Sequence, residues 1–183
     1  MALTATVHRL VITLSDVERG VYESLDLRVA RHPSESARYL WQRVIAYCLS
    51  YEEGIAFSKG GLSDSDEPPV SITDPTGVLV AWIDVGSPSA ERMHRASKAA
   101  GRVALFTAAE RSWLEREASS RKIHRLEELA VFLLEPRLLD ALEPLLEKKH
   151  LELELVRNEG TLYFTLPGGQ VVEGSIGETR LTG

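Results

Sequence analysis

The chain has 183 residues, of which 21 are Lys or Arg and 27 are Asp or Glu, for a formal net charge of −6. That length holds one hydrophobic core of ordinary size, and the charge excludes a uniformly basic nucleic-acid binder while leaving room for a local basic patch. The single cysteine, Cys48, excludes an intrachain disulfide and a cysteine-rich metal site, and no apolar run approaches the roughly 18 residues of a membrane span.

Thr4–Leu14 is rich in β-branched residues and is expected to be a strand. Tyr22–Ala30 alternates, with Leu25, Leu27 and Val29 on one side and Ser24, Asp26 and Arg28 on the other. The turn ending at Gly20 makes the two an antiparallel hairpin with one wet face. Pro33–Ser36 opens a helix that runs unbroken to Tyr51. Glu35 is expected in its first turn, and Cys48 lies buried among Ile45, Ala46 and Leu49. Phe57–Pro69 is expected to be a loop carrying Asp64, Asp66 and Glu67. Val70–Thr73 is a short strand, turned by Asp74–Gly77 into Val78–Val85. That last strand is almost continuously apolar and should lie centrally, with Trp82 and Asp84 on one side.

Ser87-Pro88-Ser89 starts a helix over Ala90–Ala100, and Arg102–Phe106 follows as a buried strand, completing a βαβ unit. A helix is expected over Thr107–Ser119 with Trp113 and Leu114 inward, then a strand centred on Ala130–Leu134. Pro144 should kink or split the helix expected over Pro136–Lys149. Leu151–Arg157, Thr161–Leu166 and Gln170–Ser175 close the chain as strands, turned at Asn158-Glu159-Gly160 and Pro167-Gly168-Gly169. The whole reads as one mixed α/β domain over residues 1–183. The opening MALTATVHRLV lacks the plan of a signal peptide, so a cytoplasmic protein is expected.

Chemistry concentrates around two acidic stretches. Asp84 ends a buried-type strand, and groups at carboxyl ends of strands line ligand crevices in α/β sheets. If Val70–Thr73 pairs with Val78–Val85, Asp66 or Glu67 comes near Asp84. Converging carboxylates of that kind suit Mg²⁺ or Mn²⁺; solvated turn residues are the plainer account. Glu35 either answers a helix dipole or reaches the same cleft. Arg92, Arg95 and Lys98 recur every third residue as a positive stripe fitted to a phosphate-bearing substrate or simply to solvent. His32, before Pro33, either hydrogen-bonds in the cleft or caps a turn. His8, His94, His124 and His150 show no zinc spacing, and neither a nucleophile elbow nor a phosphate loop is present.

ARHPSES (Ala30–Ser36), DEP (Asp66–Pro68), WIDVGSP (Trp82–Pro88) and ALFT (Ala104–Thr107) together resemble the YaeQ family of small bacterial proteins. The opening MALTATVHR fits the same pattern, and the resemblance runs from residue 1 to the strands at 151–175. More loosely, Trp113 and Asn158-Glu159-Gly160 fall where that family has a helix with an aromatic residue and a hairpin turn. YaeQ proteins are similar in fold to the PD-(D/E)XK nucleases, whose mixed sheet is flanked by helices and whose metal is held by an acid at the start of one strand and another at the end of the next. The resemblance therefore implies a restriction-endonuclease-like core between N-terminal and C-terminal antiparallel hairpins. It implies Mg²⁺ or Mn²⁺ held by Asp66 and Asp84, with Glu67 sharing the first role and Glu35 added from the first helix. The motif lysine would follow the second acid by two residues, where this chain has Gly86. A lysine displaced to the next helix answers that gap, and Lys98 is the choice because Arg95 stays protonated.

Two functions follow as expectations. One is a Mg²⁺-dependent phosphodiesterase acting on nucleic acid, with catalytic Lys98, Asp66 and Asp84 and with Arg92, Arg95 and His32 on the substrate. The other is a non-catalytic module that keeps the nuclease-like fold and binds nucleic acid or a protein partner in a regulatory role.

Overall fold

The computed structural model describes residues 4–59 and 66–183. The acid at Asp64 lies outside them. Mixed α/β structure is observed, with four α-helices and ten strands among the described residues. The chain divides into two compact units, one of residues 4–41 and 134–176, the other of residues 42–59, 66–133 and 177–183.

The first unit is built on β1 (Thr6–Asp16) and β2 (Val21–Arg31), which pair antiparallel from Thr6↔Arg31 to Asp16↔Val21. The alternation expected of β2 is observed: Leu25, Leu27 and Val29 are buried and their neighbours exposed. β8 (His150–Asn158), β9 (Thr161–Thr165) and β10 (Val171–Thr179) form an antiparallel meander. The β8–β9 turn has φ 49° at Glu159 and 72° at Gly160, both positive as a right-twisted two-residue hairpin demands. β1 joins the two hairpins by pairing parallel to β8, Leu10 beside Leu151 and Leu14 beside Leu155. Burying each such leucine contributes about 1.5–3 kcal/mol. Helix α4 (Pro136–Leu142) stops before Pro144, whose missing N–H and ring end α-geometry, and the chain continues as a 3₁₀ turn over Glu143–Glu147.

Helix α1 (Ala37–Leu49) begins later than its sequence implies. Ser36 is the cap, its Oγ accepting from the Tyr39 N–H at 3.0 Å, so Glu35 lies before the helix rather than in its first turn.

In the second unit the strand order is β7 (Ala130–Leu134), β6 (Arg102–Thr107), β5 (Leu79–Val85), β4 (Val70–Thr73) and β3 (Ile55–Phe57). β5 to β7 run parallel, while β4 and β3 are antiparallel to their neighbours. β5 is central, as its apolar run requires. β3 corrects the expectation that Phe57 begins a loop: its ring stacks on Tyr47 at 4.5 Å and Arg43 lies 5.8 Å above it. Ala96 of helix α2 (Ala90–Ala99) and the residue that caps its end, Ala100, pack against Trp82. Helix α3 is shorter than expected, Arg111–Ser119, because Thr107 still belongs to β6 and its Oγ1 accepts from the Ala109 N–H at 2.9 Å. Leu114 is fully buried, with Trp113 packed at the edge of the same cluster. Cys48 is buried, and burial pushes its thiol pKa up to about 12, so it behaves as a small apolar group. No helix among the described residues is long and apolar enough to cross a membrane.

Candidate functional site

Alternation along β5 puts Trp82 and Asp84 on one face, and α2 crosses that face. Ser89 caps α2, accepting from the Arg92 N–H at 3.2 Å, which fixes Arg92 in the first turn. From there its guanidinium turns back to the strand end. Nε donates to Asp84 Oδ2 at 2.7 Å, Nη2 donates to the Glu67 carbonyl at 2.9 Å, and the group stands 5.4 Å over the Trp82 ring. Trp82 Nε1 donates to the same Asp84 oxygen at 3.2 Å, and the Val85 N–H to the other at 3.2 Å. Asp84 is only 4% exposed, yet its carboxylate holds three donors, one of them a cation, the conditions under which a buried charge is tolerated.

The hairpin does bring the expected acids into one neighbourhood. Val70 pairs with Ile83, so the loop before β4 meets the end of β5. Glu67 arrives by its backbone carbonyl on Arg92, with its side chain exposed. Asp66 pairs with Arg95 on the next turn of α2, and Glu91 approaches Arg95 at 3.7 Å. Lys98 is exposed in the last turn, about 9 Å further along the helix axis than Arg92. Its charge falls on His94, whose pKa is lowered first by desolvation and then by Arg121, Lys98 and His124. His94 Nδ1 accepts from the His124 N–H at 3.1 Å.

Two expected residues belong to the first unit. Glu35 closes the turn after β2: its N–H donates to the His32 carbonyl at 2.8 Å and its Oε2 accepts from the His32 N–H at 3.2 Å. Arg31 Nε donates to the Glu35 carbonyl at 2.9 Å. Pro33 sits where a four-residue turn favours it, so the HPSE stretch has a structural reason of its own. His32 Nδ1 receives the Ser34 N–H at 3.2 Å and lies 2.6 Å from Ser34 Oγ.

Gly86, two residues past Asp84, has φ 79°, a conformation that L side chains rarely adopt, and its N–H donates to Phe106 O at 3.0 Å. Among the described residues, no three of His, Cys, Asp and Glu gather closely enough to hold a metal ion. The roles of Arg92 as partner to Asp84, of the Trp82 indole as donor, and of Arg121, Lys122 and His124 around His94 were missed by sequence reasoning. Only the Trp-x-Asp alternation signalled any of them.

The model of the family described as YaeQ protein matches residues 1–173. The uncharacterized protein YaeQ of Escherichia coli (strain K12) is 33% identical over 107 residues, covering 58% of this chain and 59% of that protein. The Salmonella typhi protein of the same name is 34% identical over 106 residues, 58% of each. The aligned stretch thus spans less than two thirds of these curated relatives. Solved structures extend the likeness. The crystal structure of YaeQ protein from Xanthomonas axonopodis pv. citri superposes with a TM-score of 0.86 at 27% identity, covering 98% of this chain and all of that one. That from Pseudomonas syringae gives 0.85 at 30% identity, covering 98% and 97%. On a match to all but the last ten residues, the chain belongs to the YaeQ family.

Proposed function

We propose that this chain is a non-catalytic nucleic-acid-binding module that keeps a PD-(D/E)XK-like, restriction-endonuclease-like core without its metal chemistry. One observation carries the reading: the Arg92 guanidinium stands against Asp84 with the Glu67 carbonyl on its other side. Mg²⁺ takes near-octahedral oxygen ligands and surrenders its waters reluctantly. A carboxylate already neutralised and triply hydrogen-bonded is a poor ligand, and Asp66 is likewise paired, with Arg95. This donor set does not fit the ion, and no reaction step is routed through one. Gly86 supports the same reading, because a lysine at φ 79° would be strained where the superfamily has its motif lysine.

Lys98, Arg121 and His124 around His94 supply the other half: a local basic surface on an acidic protein, the usual footprint of polyanion binding. A nucleic-acid partner also implies the cytoplasm. The test combines calorimetric titration of MgCl₂ and MnCl₂ into wild type and Asp84→Asn with anisotropy and cleavage assays on labelled DNA and RNA. The expected outcome is no metal uptake, no cleavage, and salt-sensitive binding that weakens in Lys98→Ala and Arg121→Ala. Metal uptake lost in Asp84→Asn, together with cleavage, would establish the Mg²⁺-dependent phosphodiesterase instead. Absence of nucleic-acid binding would turn the module toward a protein partner.

A further inference from the structure

Strand β2 is the last of its sheet: β1 lies on one side of it, and among the described residues no strand lies on the other. Its backbone directions follow from those of β1. The Arg9 N–H donates to the Lys149 carbonyl at 2.8 Å and the Val17 N–H to the Arg157 carbonyl at 3.0 Å, so odd-numbered residues along β1 face β8 and even-numbered ones face β2. Leu10↔Leu27 and Ile12↔Leu25 are then hydrogen-bonded pairs, and the N–H and C=O groups of Tyr22, Ser24, Asp26 and Arg28 point outward. Edge strands are ordinarily guarded by shortness, a proline, a bulge or charge. β2 has 11 residues with no proline or glycine, in unbroken register with β1, so charge is its one guard.

Those charges fall in rows across the sheet. Arg28, Arg9 and His150 stand side by side on the wet face, and Asp26, Val11 and Glu152 form the adjacent row. Arg28 and Arg9 are directly opposite, where like charges repel. Arg9 turns away to Asp26, its Nε and Nη2 donating to the two carboxylate oxygens at 2.9 and 2.7 Å. Arg28 is exposed at the open edge and makes no hydrogen bond or ion pair among the described residues. A second β2 laid antiparallel on this edge must pair even residues with even, which bonds the outward groups and keeps the buried faces aligned. An axis through Asp26 or Arg28 sets that residue against itself, and an axis through Ser24 or Leu25 leaves Arg28 without an acid. An axis through Leu27 sets Asp26 against Arg28 of the second copy, twice. The basic row of each copy then runs on into the acidic row of the other, and on the opposite face Glu23 meets Arg31 and Leu25 meets Val29.

We propose that β2 is a self-pairing edge, at which two copies of the chain join β2 to β2 about a two-fold axis at Leu27, with Asp26 of each against Arg28 of the other. The interface is isologous, so every contact is made twice. Each hydrogen-bonded pair exchanges two backbone bonds, and the two Asp26–Arg28 pairs contribute about four between them. The Asp26 carboxylate has acceptor sites for both Arg9 and the incoming Arg28. The contact is narrow, which places the dimer among weak interfaces, in the micromolar range. β1, β2 and β8 all belong to the first unit, so the pairing does not depend on the reading of Asp84.

The test is sedimentation equilibrium of the full chain from about 5 μM to about 500 μM, a range that brackets the constants of small interfaces. The expected result is an average mass that rises from one chain toward two. Arg28→Asp sets acid against acid and Asp26→Arg sets arginine against arginine. Both positions are exposed, so the fold is kept, and each variant alone should lose about tenfold or more in affinity. An equimolar mixture of the two variants restores both pairs and should dimerise again, which no folding defect would produce. A wild type that stays monomeric throughout would overturn the proposal, as would a dimer that survives both substitutions. A mixture no more dimeric than its components would overturn the axis at Leu27.

Discussion

Two buried polar groups on strand faces, Asp84 on β5 and His8 on β1, are treated by the molecule in opposite ways. Asp84 carries a full charge, yet each of its oxygens is met by donors and a guanidinium lies against it. His8 carries none when neutral, and the Lys148 backbone gives it only a loose hydrogen bond, outside good geometry. Charge alone therefore does not mark a working site. The acid that resembles a catalytic residue is the more completely satisfied of the two, and the histidine that no motif singles out is the more loosely held.

The largest test of this contrast removes the partner from Asp84. Arg92→Ala leaves a buried carboxylate without its counter-charge, and breaking a pair of this kind costs about 3 kcal/mol, the low end for buried pairs because the Arg92 side chain is 20% exposed. The check is the urea midpoint, followed by the fluorescence of Trp82 and its fellow tryptophans, at an unchanged slope. The double variant Asp84→Asn/Arg92→Ala should recover much of that loss, since the uncompensated charge is then gone. A loss below about 0.5 kcal/mol in Arg92→Ala would mean that Asp84 accepts water or an ion readily, which would reopen the metal reading.

The opposite sign is expected at His8. Replacing a poorly hydrogen-bonded buried ring by an apolar side chain of similar volume removes most of the desolvation penalty, so His8→Leu should stabilise the protein by about 1 kcal/mol. A smaller effect appears with pH. The His8 pKa in the folded chain lies below the ordinary value of 6.5, mainly because burial disfavours the imidazolium. The unfolded chain therefore takes up the proton first. The contribution of His8 to stability is fully present above pH 6.5 and is lost as pH falls from there through the folded-state pKa. The slope is at most about 1.4 kcal/mol per pH unit for one proton. In His8→Leu that part of the acid sensitivity should vanish, and comparing denaturation at pH 7 and pH 5.5 for both proteins measures it.

What could be read beforehand follows the same division. The periodicity of β2 and β5, the glycine and proline turns and the break at Pro144 are local properties, and they are visible in the chain because backbone sterics and burial act residue by residue. The parallel pairing of β1 with β8 joins segments some 140 residues apart and leaves no mark on either strand's own pattern. β3 is three residues long and owes its place to Tyr47, Arg43 and β4 rather than to its own propensity. Around the candidate site, the hairpin register that gathers Asp66, Glu67 and Asp84 was legible. The partner that each arginine chooses was not, because a guanidinium on a helix reaches in several directions and only the tertiary fold decides among them. His8 was silent for the same reason: a histidine on an apolar strand face looks alike whether its nitrogens are met or unmet.

The smallest effect is expected one turn along α2 from Arg92. Asp66 and Arg95 pair like Asp84 and Arg92, acid from the hairpin and arginine from the helix, but their side chains are 78% and 46% exposed. Water screens the attraction and holding two long side chains in one geometry costs entropy, so Asp66→Asn and Arg95→Ala should each change stability by less than about 0.5 kcal/mol. Raising the salt from 0.05 M to 0.5 M should erase even that, because the Debye length shrinks to about 4 Å. The same salt step should leave the cost of Arg92→Ala nearly unchanged, since that pair is shielded by Trp82 and the strand. Paired denaturation curves at the two salt concentrations measure both. If Arg95→Ala proved as costly and as salt-resistant as Arg92→Ala, burial would not be what separates the two pairs, and Asp66 would have to be counted with Asp84 as part of one rigid site.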